Sequence, residues 1–193
     1  MKKRLHLYVF RHGQTYFNRD DKFTGFIDSK LTKTGIEEAK IVALRLKNKK
    51  IDVAFQSSLS RAKDTLKEVL KFHPECKQII EDNRMIERDY GKLSGLTHLE
   101  CVKKYGAEQY DKWHRGFNNR PPGGESFADI EKRVKSFVDD LIKFMKKAKV
   151  NVAISSSGNS IRLFRKIMEN APIDRVVEWF IPYDKAFEYT ICA

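Results

Sequence analysis

The chain has 193 residues, a length that fits one domain better than two. Apolar residues make up 41% of it and charged ones 33%, with 13 Phe and 7 Tyr, so it has a core to bury and disorder is not expected. The 38 Lys and Arg against 26 Asp and Glu leave a formal charge of +12, which is compatible with phosphorylated metabolites, nucleic acid or anionic lipid.

The opening residues MKKRLHLYVFRHG begin basic, but their apolar stretch is short and no small-residue cleavage site follows. No run of about 18 apolar residues occurs, so neither secretion nor membrane spanning is expected. Leu5 to Phe10 reads as the first buried strand. Ile36, Ala39, Ala43 and Leu46 then recur at helical spacing, with Thr32 placed to cap them. Ile51 to Phe55 reads as a second strand, followed by a helix carrying Ala62, Thr65, Leu66, Val69 and Leu70 on one face. Gln78 to Glu81 is a weaker strand signal.

From Arg84 to Glu125 the rhythm breaks into a stretch rich in Gly, Arg, Tyr and Trp that closes with PPGGES, which reads as a lid-like excursion. A long helix is expected from Phe127 to about Lys147, with Ile130, Val134, Phe137, Val138, Leu141 and Met145 in one stripe behind a Ser126/Asp129 capping box. Val150 to Ser155 and Phe187 to Cys192 complete the strands. Alternating strands and helices predict one α/β domain over 1–193, a three-layer sandwich with a mostly parallel sheet and helices on both faces. Cys76, Cys101 and Cys192 are odd in number with no CxxC pair, which supports neither a disulfide framework nor a cysteine zinc site and points to a cytoplasmic home.

Open α/β sheets bind ligands beyond the carboxyl ends of their strands. There this chain has Arg11, His12, Gly13, Gln14 and Thr15, then Asn18; Ser57, Ser58, Ser60 and Arg61; and Ser155, Ser156, Ser157, Gly158 and Asn159. Guanidinium forks match phosphoryl oxygens, glycine admits close backbone donors, and a neutral imidazole is a nucleophile at pH 7. Taken alone, an RH pair is an ordinary turn histidine beside a surface charge.

The pair is not alone. RHGQT with Asn18, FTGFIDSKLTKTG from Phe23 to Gly35, SSLSRAKDT from Ser57 to Thr65, IERDYGKLSG from Ile86 to Gly95, PPGGES and SSSGNSIR follow in order. Together they resemble the histidine phosphatase superfamily, and within it the 2,3-bisphosphoglycerate-dependent phosphoglycerate mutases. The resemblance implies His12 as phosphohistidine nucleophile, with Arg11, Asn18 and Arg61 on the transferring phosphoryl group and Glu87 as proton donor and acceptor. Tyr90 and Arg115 would hold substrate, while Thr24, Gly25, Gly158 and Asn159 would line its site. It further implies 2,3-bisphosphoglycerate as phosphoryl donor, a small phosphorylated metabolite as substrate, no metal, and dimers or tetramers as common assemblies. An enclosed carboxyl group beside phosphoryl charge suits general acid work.

The chain departs from that family's pattern at Ser157, where a second histidine is expected. Serine is shorter and carries no positive charge, so an impaired enzyme is expected; a pseudoenzyme that only binds phosphorylated ligands is the alternative. A lysine and an arginine pair of the mutases are replaced by His98 and by His114 followed by Arg115, and the segment from Arg115 to Pro121 is short. These changes lean toward the superfamily's phosphomonoester phosphatases, whereas FTG at Phe23 to Gly25 and ERDYG at Glu87 to Gly91 are mutase-like; the mutase is the first expectation and the phosphatase the second. A serine-hydrolase reading of SSSG lacks the GxSxG elbow. A nucleic-acid module is not expected, since no RNP motif, helix-turn-helix or dense basic arm is present.

Overall fold

The computed structural model describes residues 3–193. Strand β1 (Arg4–Arg11) leads through the short helix α1 (Tyr16–Arg19) to α2 (Lys33–Leu46), β2 (Val53–Gln56), α3 (Ser60–Leu70) and β3 (Gln78–Glu81). Two 3-10 turns, Asn83–Met85 and Gly91–Leu93, and helices α4 (His98–Tyr105) and α5 (Ala107–Arg115) make up the excursion. The chain then forms α6 (Phe127–Ala148), β4 (Val152–Ser156), α7 (Gly158–Glu169), α8 (Ile173–Glu178) and β5 (Ala186–Cys192).

The sheet order is β3-β2-β4-β1-β5, with β5 antiparallel and the other pairings parallel. Successive side chains of a strand face opposite ways. Leu5, Leu7 and Val9 of β1 therefore join Val152 and Ile154 of β4 against α6 and α7, while Tyr8, Phe10, Ala54 and Ala153 face α2 and α3. The result is the three-layer α/β sandwich expected from the alternation.

Local signals explain the helices that carry the site. Thr32 caps α2 by accepting from Gly35 N, and Ser126 and Asp129 form the reciprocal capping box of α6. One expectation is corrected here: Ile36 is exposed, and α2 is turned so that Gly35, Ala39, Val42, Ala43 and Leu46 are buried. Gly35 sets that rotation through a backbone contact, since a Cβ on it would fall 2.1 Å from Gln14 O and one on Gly13 would fall 2.1 Å from Gly35 O. The close approach carries the start of α2 onto the loop that follows β1. No helix among the described residues is long and apolar enough to cross a membrane.

Candidate active site

Arg11 pairs with Ser156 and Gln56 with Ser155, so β1, β2 and β4 end along one edge. The connections from β1 and β4 leave toward opposite sides of the sheet, which opens a crevice between their carboxyl ends. A cleft of about 640 Å³, its open mouth included, lies there. Arg11, Asn18, Thr24, Gly25, Glu87, Tyr90, Gly158 and Asn159 line it. His12, Arg61 and Ser157 are buried beside these lining residues.

His12 is held from both sides of its peptide. Its N–H donates to Ser156 O at 2.9 Å, and the next amide, Gly13 N, donates to Thr65 Oγ1 at 3.1 Å. The ring Nδ1 lies 2.8 Å from Gly13 O; a carbonyl only accepts, so Nδ1 carries the proton and Nε2 keeps a free lone pair. Burial, and then the charges of Arg61 and Arg11, push the His12 pKa well below its ordinary value. The imidazole is therefore neutral at pH 7.

The two arginines are fixed by backbone carbonyls and retain unused donors. Arg61 donates to Gly25 O at 2.8 Å and Ile27 O at 2.9 Å, and Arg11 donates to Ile181 O at 3.0 Å while stacking 4.0 Å from the Tyr183 ring centre. The Nε atoms of both are buried without a partner, as are Ser57 Oγ and Ser157 Oγ. Buried donors are normally satisfied, and two orphaned guanidinium N–H groups flanking a histidine suit an arriving anion. Gly158 permits the arrangement, because a Cβ there would stand 3.3 Å from the Arg11 guanidinium carbon.

The three serines at the end of β4 differ in use. Ser155 donates to Ala62 O at 2.8 Å and Ser156 to Met85 O at 2.6 Å, pinning α3 and the 3-10 turn to the sheet. Ser157 is the N-cap residue of α7 yet makes no side-chain cap bond. Its hydroxyl is thus uncommitted, where its neighbours are structural.

Glu87 also uses backbone partners. Its Oε1 accepts from Arg88 N at 2.8 Å and from Asn159 N at 3.3 Å, which puts the carboxylate at the amino end of α7. Neither neighbouring arginine pairs with it: Arg84 binds Asp82 and Asp140, and Arg88 donates to Glu125 O and Asn119 O. Asn159 Nδ2 donates to Tyr90 Oη at 2.9 Å, and burial raises the Tyr90 pKa. Asn18 accepts from Thr15 N and Thr15 Oγ1, which holds its side chain on the cleft lining.

Arg115 departs from its expected place. It ends α5 exposed and is absent from the cleft lining, where Arg162 and Lys22 stand instead. Arg162 was not singled out from sequence, although its position one helical turn beyond Asn159 is a usable signal; it donates to Asn159 Oδ1 at 3.0 Å and Trp179 O at 2.6 Å. Phe180 and Ile181 reach the lining from the segment before β5, and no local pattern announces them. His98 and His114 complete the wall with Phe23, their ring centres 4.2 and 6.0 Å from its own. Burial lowers the pKa of both, that of His114 to about 3. No group of three or more His, Cys, Asp or Glu residues is placed to hold a metal among the described residues.

Known proteins resemble the chain in sequence and in fold. The chain is 36% identical over 190 residues to a protein of Gloeobacter violaceus named 2,3-bisphosphoglycerate-dependent phosphoglycerate mutase 2, covering 95% of this chain and 85% of the relative. In fold it is similar to the alpha-ribazole phosphatase of Shigella flexneri, with a TM-score of 0.82 at 22% identity over 98% of this chain and 95% of that one. It is similar also to the mycobacterial glucosyl-3-phosphoglycerate phosphatase, with a TM-score of 0.78 at 23% identity over 91% and 84% of the two chains. Residues 7–186 match the model of the histidine phosphatase superfamily (branch 1), and the chain belongs to that superfamily of phosphoryl-transfer enzymes.

Proposed function

We propose that the protein is a histidine-type phosphomonoester phosphatase acting on a small phosphorylated metabolite. The observation that carries the choice is the wall facing the phosphoryl cradle. A phosphoglycerate would need fixed positive charge there for its carboxylate, yet the half-buried His98 and His114 have lowered pKa values and Arg115 lies off the lining. The mutase reading keeps the support of relatives that carry that name at 36% identity, and of Arg162 and Lys22 as the cations that could meet a second acidic group. In that reading 2,3-bisphosphoglycerate supplies the phosphoryl group that primes His12.

In our reading, Arg11 and Arg61 hold the phosphoryl oxygens through their free donors while the amino end of α7 adds its dipole. His12 Nε2 attacks phosphorus, the P–O bond to the leaving group breaks, and Glu87 as a carboxylic acid gives its proton to the departing oxygen. Glu87, now a carboxylate, takes a proton from water as that water attacks the phosphohistidine, which releases phosphate and restores His12. Asn18, Thr24, Gly25, Tyr90 and Asn159 position the ester. The developing charge is met by preorganised arginines, so this scheme requires no metal. Ser157 offers one neutral hydroxyl where the family's pattern has an imidazole, and this limits the rate.

The test is an assay of 3-phosphoglycerate and simple phosphomonoesters, with catalytic 2,3-bisphosphoglycerate, on the native chain and on Ser157→His. Release of inorganic phosphate, abolished by His12→Ala, is expected. Isomerisation without phosphate release would transfer the assignment to the mutase. Acid-labile phosphate binding with no turnover in either chain would mark a pseudoenzyme.

A further inference from the structure

Phe180 is exposed over 68% of its surface, more than any other large apolar side chain described, and yet it lines the catalytic cleft. An isolated surface phenylalanine needs no explanation, but one at the mouth of a charged site does. Its segment is anchored on both sides: Trp179 O accepts from Arg162 and Ile181 O from Arg11. Phe180 also stands edge-on to Tyr183, which carries Arg11 on its face. The backbone on either side of the exposed ring is therefore held by arginines of the cleft.

The wall contributed by the excursion and by the residues before Gly25 is also made of rings. Phe23 is 3% exposed and packs 4.5 Å from Tyr90 and 4.2 Å from His98, centre to centre, while His98 and His114 stand 5.1 Å apart. His98 Nδ1 is engaged by Tyr110 Oη at 2.7 Å, and Leu93 and Cys101 back the cluster. Neutral rings fixed by packing form a preorganised face for another ring, and Arg162 on the same lining adds a cation that favours an aromatic face.

Resting on the phosphatase reading, we infer that the leaving group of the substrate carries an aromatic or heteroaromatic ring, seated between Phe180 at the rim and the Phe23, His98 and His114 wall. The phosphoryl group sets depth and Arg162 borders the ring. A carboxylate-bearing leaving group gains less here, because neither histidine carries charge at neutral pH.

The experiment needs no turnover. Binding of benzylphosphonate, methylphosphonate and phosphonoacetate to the native chain is measured by calorimetry, together with Phe180→Ala, an exposed position whose truncation leaves the core untouched. Benzylphosphonate is expected to bind about tenfold more tightly than methylphosphonate, and Phe180→Ala to cut that ratio to about two- or threefold. Equal affinities, or tighter binding of phosphonoacetate, overturn the inference; phosphate release from simple esters would then still uphold the phosphatase reading. Failure of all three ligands to bind would overturn the inference and the phosphoryl cradle together.

Discussion

Gly158 leaves room for Arg11: a methyl group added to the glycine would stand 3.3 Å from the guanidinium carbon, closer than such atoms ordinarily pack. Gly158 opens α7 and has no left-handed backbone, so alanine suits its conformation and only the arginine must move. Gly158→Ala is expected to lower kcat/KM by about 10- to 100-fold through a displaced guanidinium. The thermal midpoint should shift by no more than about 2 °C. Loss of folding instead of activity would mean that the glycine serves the helix and not the arginine.

Ser157→His tests the residue proposed to limit the rate. A preorganised donor aimed at developing charge is worth about 2.7 to 4 kcal/mol, or about 100- to 1000-fold in turnover. The orphaned Ser157 hydroxyl means that the substitution breaks no hydrogen bond. The imidazole must still fit a fully buried position, so a stability loss of about 1 to 3 kcal/mol should accompany the gain. A folded variant whose phosphate release is unchanged would sink the assignment of Ser157 as the limiting residue.

Much of this was legible in the chain. Apolar, β-branched and aromatic runs located the strands, the weak Gln78–Glu81 signal included, and the Ser126 and Thr32 caps located helix starts. What the sequence hid was rotation and distance. Ile36 lies at helical spacing yet faces solvent, because the Gly13–Gly35 backbone contact sets the face of α2. Arg115 and Arg162 are equally plausible cations in one dimension. Only the packing of α5 against α4, and of α7 beneath the cleft, turns the first outward and the second inward. Phe180 depends on a tertiary anchor from Arg162, which no local pattern encodes.

The histidines give the pH dependence its sign. An unfolded imidazole takes up a proton below about pH 6.5, whereas His12, His98 and His114 resist protonation in the folded protein, His114 down to about pH 3. The unfolded state then binds more protons, so stability is full above pH 6.5 and is lost as pH falls through that window. His114 alone should cost about 2 kcal/mol at pH 5 relative to pH 7.5. Urea midpoints at the two pH values measure the loss, and His114→Phe should reduce it; an acid-insensitive midpoint would contradict the buried neutral state.

The same shift governs the acid side of catalysis. Protonation of His12 would remove the proposed nucleophile, and a pKa held well below the ordinary value postpones that loss. For a substrate whose own ionisation is known, kcat/KM should show no inflection from His12 near pH 6.5. Nitrogen NMR of the imidazole should find Nδ1 protonated and Nε2 bare at pH 6. A protonated Nε2 at that pH would remove the proposed nucleophile.

Arg133 holds the backbone that presents Glu87. Projecting from α6, it donates to the carbonyls of Arg84, Ile86 and Glu87 and grips Glu125 with Nε at 2.9 Å and Nη2 at 3.0 Å. Glu125 in turn accepts from Asp89 N, so the backbone that presents Glu87 is tied at several points to one guanidinium. Arg133→Met keeps much of the packing volume but strands those carbonyls and the Glu125 carboxylate. A loss of about 2 to 4 kcal/mol in unfolding free energy is expected. Glu125→Gln in the same chain should restore part of it by removing the uncompensated charge. Because Arg133 is absent from the cleft lining, kcat should fall further than KM rises, as a misplaced proton donor requires. If kcat is unchanged in the folded variant, the Glu87 carboxyl does not depend on this anchor for its position, and Arg133 only stabilises the fold.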